Sequence, residues 1–287
     1  MDNMPEGPEV RRITDRLSKD ITGRILTNIR LLNESYGSKQ VRGPAVSDLM
    51  ETLTHQGLEV NEINCKGKFI YWRVGEFEIW NTLGMSGTWR NYVPKNHAMV
   101  AFEFSDGSCW YYRDSRRFGT FRIFRASDDE LQRKLDSLGP DMLSDPPTAS
   151  QFIDRLRRKP HWNITKALMD QSIVSGIGNY IKAEVLYRAR ISPWMSVADL
   201  SDAQLTEIYE ATCWVIKASY ESRGVTLRDY VMPDGSTGDY QFKFLCYSQR
   251  TDPLGNPIKK ETTPDGRTTW WCPEIQSTPT FVQTTLM

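Results

Sequence analysis

The chain has 287 residues, enough for two domains of ordinary size, each with its own core. Its 36 Lys and Arg residues balance its 36 Asp and Glu residues, so a polyanion would have to bind a local basic patch rather than the protein as a whole. The five cysteines include no C-x-x-C pair, and no apolar stretch approaches the roughly 20 residues of a transmembrane helix. We therefore expect a soluble intracellular protein with reduced cysteines and no membrane segment.

Residues 4–10, Met-Pro-Glu-Gly-Pro-Glu-Val, combine a proline with a carboxylate. If synthesis begins at Met4 and that Met is removed, the nitrogen of Pro5 becomes a secondary amine with a pKa of about 7.7 to 8.0. Such an amine forms Schiff bases, and Glu6 is placed to give or take a proton at the same carbon. This hypothesis treats residues 1–3 as an upstream start or a processed leader. The alternative is that Pro8 only marks the first turn of a helix.

The apolar spacing of Val10, Ile13 and Leu17 predicts a helix from about residue 9 to residue 20. From residue 25 to about 124 the pattern changes to short runs rich in Val, Ile, Phe, Tyr and Trp, separated by turn formers. The runs are 69–72, 77–80, 100–104, 110–112 and 121–124. They predict an antiparallel sandwich or barrel that carries the N-terminal helix on its surface.

Three loops in this half have polar or unusual residues that a sandwich does not require. Lys68 would place an ammonium at a strand end, unless it is simply a solvated turn residue. Met85 lies between glycines, where it could fill a core gap or wedge between bases. Arg116 and Phe118 couple a guanidinium with an aromatic ring, a combination suited to filling the gap that a flipped base leaves.

Turn formers are dense in residues 139–150, which we predict to link an N-terminal domain, residues 1–138, to a helical domain, residues 151–240. The first helix is expected to start at a Ser150 cap. A basic run that includes Lys159 is a solvated face or a phosphate-facing rim. A glycine turn precedes Asn179, at the start of a helix where free N–H groups favour an anion.

Two further helices are expected at about residues 202–219. A finger and tail, residues 241–287, follow, with strand-like runs at 242–247 and 268–272 and with Arg267 directly after a turn glycine. A zinc ribbon needs four Cys or His ligands, whereas only Cys246 and Cys272 lie here. We therefore predict no bound zinc.

The motifs at residues 5–10, 83–87, 114–119, 176–179 and 266–267 occur in the order found in the formamidopyrimidine-DNA glycosylase/endonuclease VIII family, which the chain resembles along nearly its whole length. The resemblance implies an α+β fold. An N-terminal antiparallel β-sandwich with an N-terminal helix would be joined to a C-terminal helix-two-turn-helix domain with a finger hairpin. DNA would bind between them.

The resemblance also implies a role for each matching residue. Pro5 matches the Schiff-base nucleophile, Glu6 the acid that assists sugar-ring opening, and Lys68 the lysine that contacts phosphate and assists β-elimination. Arg267 matches the finger arginine that binds phosphate and assists δ-elimination. His97 and Asn179 match DNA-contacting residues. The trio that fills the gap of the flipped nucleotide matches Met85, Arg116 and Phe118. The loop that covers an everted oxidised purine matches a segment with Thr226, Leu227, Arg228 and Tyr230.

The finger departs from the zinc-binding pattern of the family. The last two zinc cysteines of the family fall on Cys272 and Ile275, and the first pair falls in a shortened segment around Leu254 and Gly255. The chain therefore resembles the branch with a zincless finger, and we expect neither a metal nor another cofactor.

These features imply a monomeric DNA glycosylase and AP lyase acting on double-stranded DNA that contains oxidised bases or abasic sites. The lesion loop favours 8-oxoguanine and formamidopyrimidines, and oxidised pyrimidines and hydantoins are the alternative. A second alternative is a damaged-DNA-binding protein without catalysis, if Pro5 is not the N-terminus. The protein would act where the DNA is, in the cytoplasm and nucleoid or in a eukaryotic nucleus.

Overall fold

The computed structural model of the chain describes residues 5–222 and 243–276. The helices and strands are α1 (Gly7–Ile21), β1 (Ile25–Leu31), α2 (Glu34–Gln40), β2 (Val41–Arg42), α3 (Val46–His55), β3 (Leu58–Lys66), β4 (Phe69–Val74), β5 (Phe77–Thr82), β6 (Gly87–Arg90), β7 (Ala98–Phe104), β8 (Cys109–Asp114), β9 (Thr120–Arg125), α4 (Glu130–Ser137), α5 (Ala149–Arg157), α6 (Ile164–Met169), α7 (Asn179–Arg188), α8 (Asp202–Glu221), β10 (Lys259–Thr262) and β11 (Thr268–Trp271). The predicted α+β class is confirmed, with a β-rich first half and a helical second half.

The N-terminal half is an open sheet of nine strands in the order β2-β9-β5-β4-β3-β1-β7-β8-β6. All its pairs are antiparallel except β2 with β9. The sheet folds over into two layers, so that Trp72 of β4 meets Trp89 of β6 with ring centroids 5.2 Å apart. Phe102 of β7 packs on both indoles. The sandwich is confirmed, and the barrel alternative is wrong because β2 and β6 remain open edges.

Helix α1 buries Val10, Ile13 and Leu17, as their spacing predicts. It packs against β3 on one side and α8 on the other. The sandwich thus carries this helix on its surface, as predicted, and α8 of the helical half packs on the helix as well. Its position makes α1 the element that joins the sheet to the helical half.

The segment between β1 and β3 contains α2 and α3, which the sequence patterns did not predict. Helix α2 is polar and buries only Tyr36 and Gly37. The side chain of Asn33 caps it by accepting a hydrogen bond from the Tyr36 N–H at 2.9 Å. Helix α3 buries Leu49 and Leu53, and Val46 and Met50 pack against the same core, so its apolar residues follow a helical spacing.

The helical half begins at α5, which is capped by Thr148 with Gln151 as its capping-box partner. Ser150 is therefore not the cap. Helix α8 is one continuous helix of 20 residues, not two, because no glycine or proline interrupts Asp202–Glu221. Within the described ranges, no helix has the length and apolarity needed to cross a membrane.

The C-terminal hairpin pairs β10 with β11, so that Lys259 faces Trp271 and Thr262 faces Thr268. The prediction of a strand at residues 242–247 is wrong for the part that the structure describes. The N–H groups of Leu245, Cys246 and Tyr247 instead donate to the buried carboxylate of Glu184 on α7, at 2.8 to 3.1 Å. A buried carboxylate needs such donors, and they hold this segment as a loop.

Candidate active site and nucleic-acid interface

Three backbone segments meet where the two halves of the chain join: the start of α1, the β3–β4 turn and the turn before α7. The N–H of Gly7 donates to the carbonyl of Gly176 at 2.9 Å. Gly67 has φ of +59°, and a Cβ on it would lie 2.7 Å from the nitrogen of Gly176. A Cβ on Gly178 would overlap Cδ of Glu6. Glycine is thus required for this close approach.

The carboxyl group of Glu6 occupies the N-terminus of α7. Its Oε1 accepts the N–H of Tyr180 at 2.8 Å, and its Oε2 accepts the N–H of Ile181 at 3.2 Å. Glu6 is only 3% exposed. The helix start predicted to favour an anion is therefore already occupied, because two of its free N–H groups are bound to a carboxyl group of the same chain.

Burial raises the pKa of Glu6 to about 8, because the charged form loses its hydration. The charge of Lys68 and the two N–H donors of α7 oppose this shift, and nearby Glu9 adds to it. The raised pKa favours the protonated carboxylic acid at neutral pH, the form that can donate a proton.

Lys68 lies beside Glu6, with its Nζ donating to the carbonyl of Ile177 at 2.8 Å. Burial lowers the pKa of Lys68, an effect that Glu6 opposes and Arg267 reinforces. Gln171 donates to the same carbonyl at 3.0 Å and accepts the N–H of Gly176 at 3.1 Å. Gln171 thus shapes the turn that holds Lys68, a role the sequence analysis missed.

Arg267 is exposed at the tip of the β10–β11 hairpin, which a buried ion pair fixes to α7. Nζ of Lys182 lies 2.5 Å from Oδ2 of Asp265, and the two side chains are 0% and 3% exposed. The other carboxylate oxygen of Asp265 accepts the hydroxyl of Thr263 at 2.6 Å and the N–H of Arg267 at 3.3 Å. The ion pair therefore helps to fix the position of the Arg267 backbone at the tip of the hairpin.

None of the sequence motifs described above includes Lys182 or Asp265, so this ion pair was not predicted. The available signal was a lysine inside Asn179–Arg188, a helix whose residues 180–187 are all buried. A charge at such a position requires a partner.

Asn179 opens α7 and connects it to the hairpin. Its Nδ2 donates to the carbonyl of Thr268 at 2.9 Å. Its Oδ1 is buried and has no hydrogen-bond partner within residues 5–222 and 243–276. The side chain thus lies at the same helix end as Glu6.

The loops that carry Met85, Arg116 and Phe118 are held together by Asp114. Its carboxylate accepts the hydroxyl of Ser86 at 2.5 Å, the N–H of Arg116 at 3.2 Å and the N–H of Gly119 at 2.8 Å. The guanidinium carbon of Arg116 lies 5.7 Å from the ring centroid of Phe118, and Phe118 is 56% exposed. Met85 is half-buried in the adjoining turn. The structure thus brings this predicted trio together.

The other residues predicted for the site do not belong to this trio. His97 is exposed, and its carbonyl accepts the N–H of Asp114 at 3.0 Å, so it lies beside the loops just described. Lys159 follows α5, and its Nζ lies 5.1 Å from the ring centroid of Trp162. Pro5 is buried directly before Glu6. Thr226, Leu227, Arg228 and Tyr230 lie outside the described residues.

Cys246 and Cys272 are both buried at the base of the hairpin. In the described part of the chain no three His, Cys, Asp or Glu side chains come together as a group that could hold a metal ion. The finger without zinc stays a prediction.

Three family models match the chain in order: the N-terminal domain of formamidopyrimidine-DNA glycosylase at residues 4–121, its H2TH domain at 138–231 and its C-terminal domain at 233–277. The formamidopyrimidine-DNA glycosylase of Bacillus licheniformis is 30% identical over 280 residues, covering 95% of this chain and 99% of the relative.

Solved structures agree with the family models. The MutM (Fpg) protein of Thermus thermophilus superposes with a TM-score of 0.81 at 28% identity, over 95% of this chain and 98% of its own. A Lactococcus lactis FPG variant in complex with Fapy-dG containing DNA superposes with a TM-score of 0.81 at 25% identity, over 96% and 100%.

The sandwich, the helical half and the hairpin, with a buried acid and lysine between them, define a DNA glycosylase fold. The chain belongs to the formamidopyrimidine-DNA glycosylase family.

Proposed function

We propose that this chain is a DNA glycosylase and AP lyase that removes oxidised bases from double-stranded DNA and cleaves abasic sites. The observation that carries the proposal is the juxtaposition of Glu6 and Lys68 at the start of α7, one residue from Pro5. The similar protein of Bacillus licheniformis is a formamidopyrimidine-DNA glycosylase, and the similar Lactococcus lactis structure is a complex with Fapy-dG containing DNA.

The nucleophile is the nitrogen of Pro5, in a chain that begins at that residue. The match to the N-terminal family model starts at residue 4, so residues 1–3 lie outside the matched region. The free amine attacks the anomeric carbon of the damaged nucleoside, the base leaves, and an iminium forms. The iminium acidifies the adjacent C–H, so that the 3′ phosphate and then the 5′ phosphate can be eliminated.

Glu6 supplies the proton that opens the sugar ring. Its raised pKa keeps it protonated at neutral pH, as a general acid requires. The N–H groups of Tyr180 and Ile181 orient the carboxyl group, so the acid does not have to be fixed in position by the substrate.

Lys68, Asn179 and Arg267 contact the phosphates around the lesion. Lys68 has a pKa lowered by burial, which suits it to accept the proton removed during β-elimination. Arg267 presents a planar fork to a phosphate and assists δ-elimination. His97 extends these contacts along the backbone, and Lys159 contributes a more distant phosphate contact from the end of α5.

Met85, Arg116 and Phe118 enter the duplex and replace the flipped nucleotide. Asp114 and Ser86 hold the two loops in fixed relation, so the wedge residues act as a unit. The preferred lesions are 8-oxoguanine and formamidopyrimidines, covered by Thr226, Leu227, Arg228 and Tyr230. Preference for oxidised pyrimidines and hydantoins would show as faster turnover of thymine glycol than of 8-oxoguanine opposite cytosine.

The domain boundaries remain as proposed from the sequence: residues 1–138, a linker at 139–150, residues 151–240, and a finger with tail at 241–287. The protein acts as a monomer without cofactor or metal. It works with the DNA, in the cytoplasm and nucleoid or in a nucleus.

Borohydride trapping tests the proposal. The intact mass of the purified protein first establishes its N-terminus, and the protein is then reacted with a duplex that contains an abasic site. A covalent adduct on a chain beginning at Pro5, lost in Pro5→Gly, is the expected result. Absence of an adduct from such a chain would leave damaged-DNA binding without catalysis as the better account.

A further inference from the structure

We propose that a basic groove on the edge of the sheet, formed by Lys39, Arg42 and Arg122, binds additional phosphates of the same DNA duplex. The proposal rests on the DNA binding proposed above and extends it beyond the residues that the family motifs identify. The groove has a volume of about 490 Å³ and is completed by Gln40, Thr120 and Phe121.

The strand pairing forces two arginines side by side. In the parallel pair of β2 and β9, Arg42 is directly opposite Arg122. Residues paired across neighbouring strands point to the same face of a sheet, so the two arginine side chains leave that face as neighbours. Like charges in this position destabilise a sheet. An anion bound between the two arginines would offset this repulsion.

No carboxylate of the described residues compensates for these charges. Lys39, Arg42 and Arg122 are exposed, and no ion pair involves them within residues 5–222 and 243–276. Arg125, which lies on β9 like Arg122, is by contrast paired with Asp48 at 2.8 Å and with Glu76 at 3.2 Å. The three cations of the groove are therefore available to an external anion.

The groove is continuous with the loop that carries Arg116 and Phe118. Nε2 of Gln40, at the end of α2, donates to the carbonyl of Arg117 at 3.1 Å. The hydroxyl of Tyr36 donates to the carbonyl of Gly119 at 2.7 Å. A duplex entered by Phe118 brings its backbone phosphates next to this surface. The neighbouring arginines suit the repeated negative charge of that backbone.

The salt dependence of DNA binding tests the proposal. The double variant Arg42→Gln with Arg122→Gln is compared with Lys19→Gln with Lys217→Gln, which removes the same charge from exposed positions on α1 and α8. Kd is measured between low and high KCl on a duplex with a tetrahydrofuran abasic analogue and on its undamaged counterpart. Each lost phosphate contact lowers the slope of log Kd against log salt by about 0.9.

The groove variant is expected to lower that slope by about 1.8 on both duplexes, whereas the control variant leaves it unchanged. Arg42→Lys with Arg122→Lys should retain the slope because it retains the charges. A slope equal to that of the control would overturn the proposal and favour an acidic protein partner for this groove.

Two further readouts separate the possible failures. The thermal midpoint of the groove variant should equal or exceed that of the wild type, because a like-charge pair has been removed, so weakened binding cannot be attributed to unfolding. If the groove variant shows the expected slope difference but the wild type gives no borohydride adduct, the proposed catalysis is refuted and the proposal for the groove stands. An adduct without a slope difference would refute only the groove.

Discussion

Removing the charge of Lys182 is expected to leave the buried carboxylate of Asp265 without a counter-charge. The two side chains are 0% and 3% exposed and 2.5 Å apart, so the ion pair is shielded from water. Breaking such a pair by removing one partner costs about 3 to 5 kcal/mol of unfolding free energy. Lys182→Met, which retains most of the apolar stem, should lower stability by this amount in urea unfolding followed by tryptophan fluorescence.

The pH dependence of this loss identifies its cause. Although burial opposes the effect, the attraction of Lys182 lowers the pKa of Asp265. Without Lys182, burial raises the pKa of Asp265 and is opposed only by the hydrogen bonds from Thr263 and from the Arg267 N–H. The folded variant then takes up a proton that the unfolded chain releases. The penalty of Lys182→Met should therefore be smaller at pH 5 than at pH 8.

The ion pair also controls the position of Arg267. Lys182→Met should reduce the δ-elimination product relative to the β-elimination product and have less effect on adduct formation at Pro5. Adding Asp265→Asn removes the uncompensated charge while its Oδ1 can still accept from Thr263 and from Arg267. The double variant should thus be more stable than Lys182→Met.

Lys217→Met provides the control, since Lys217 is exposed and lies 3.9 Å from Glu221 in a surface pair. It should change stability by no more than about 0.5 kcal/mol. The reasoning is refuted if Lys182→Met is no less stable than this control, or if Asp265→Asn adds to the loss instead of reversing it.

The wild type should lose stability as pH rises from about 4.5 to about 8, because folded Glu6 retains a proton that the unfolded chain releases. Glu6→Gln removes this titrating group and should therefore flatten the pH dependence of stability. Parallel urea-derived curves for the two proteins would contradict the raised pKa. Gly178→Ala should push the Glu6 carboxyl away from the Tyr180 N–H, costing about 1 to 3 kcal/mol and reducing borohydride adduct formation; unchanged trapping would show that the displaced acid is dispensable. Asp114→Asn removes one of the acceptor oxygens that join the wedge loops, so Kd for an abasic duplex should rise, and an unchanged Kd would disprove the coupling of those loops.

Local apolar patterns predicted the fold where burial follows a regular period. The five apolar runs between residues 69 and 124 all became strands, and the 9–20 helix became α1. Helix α2 escaped prediction because it buries only Tyr36 and Gly37. The 242–247 run is apolar enough for a strand, yet Glu184 binds its N–H groups in the described part. A tertiary contact overrode the local preference there.

The candidate site could be predicted only as separate motifs. Glu6 and its helix partner Tyr180 are 174 residues apart in the chain, and Lys182 and Asp265 are 83 apart. Nothing local indicates that the carboxyl of the first motif would occupy the helix start predicted for phosphate. Family resemblance supplied the roles of these residues, but the contacts among them required the folded chain.

Helix α7 has an additional consequence for the motions of the protein. The first-turn amides of a helix ordinarily exchange with solvent readily, since they have no partner within the helix. Here the amides of Tyr180 and Ile181 are bound to a carboxyl group from the other half of the chain. Their hydrogen exchange therefore reports the separation of the two halves, and DNA that bridges the halves should slow it further.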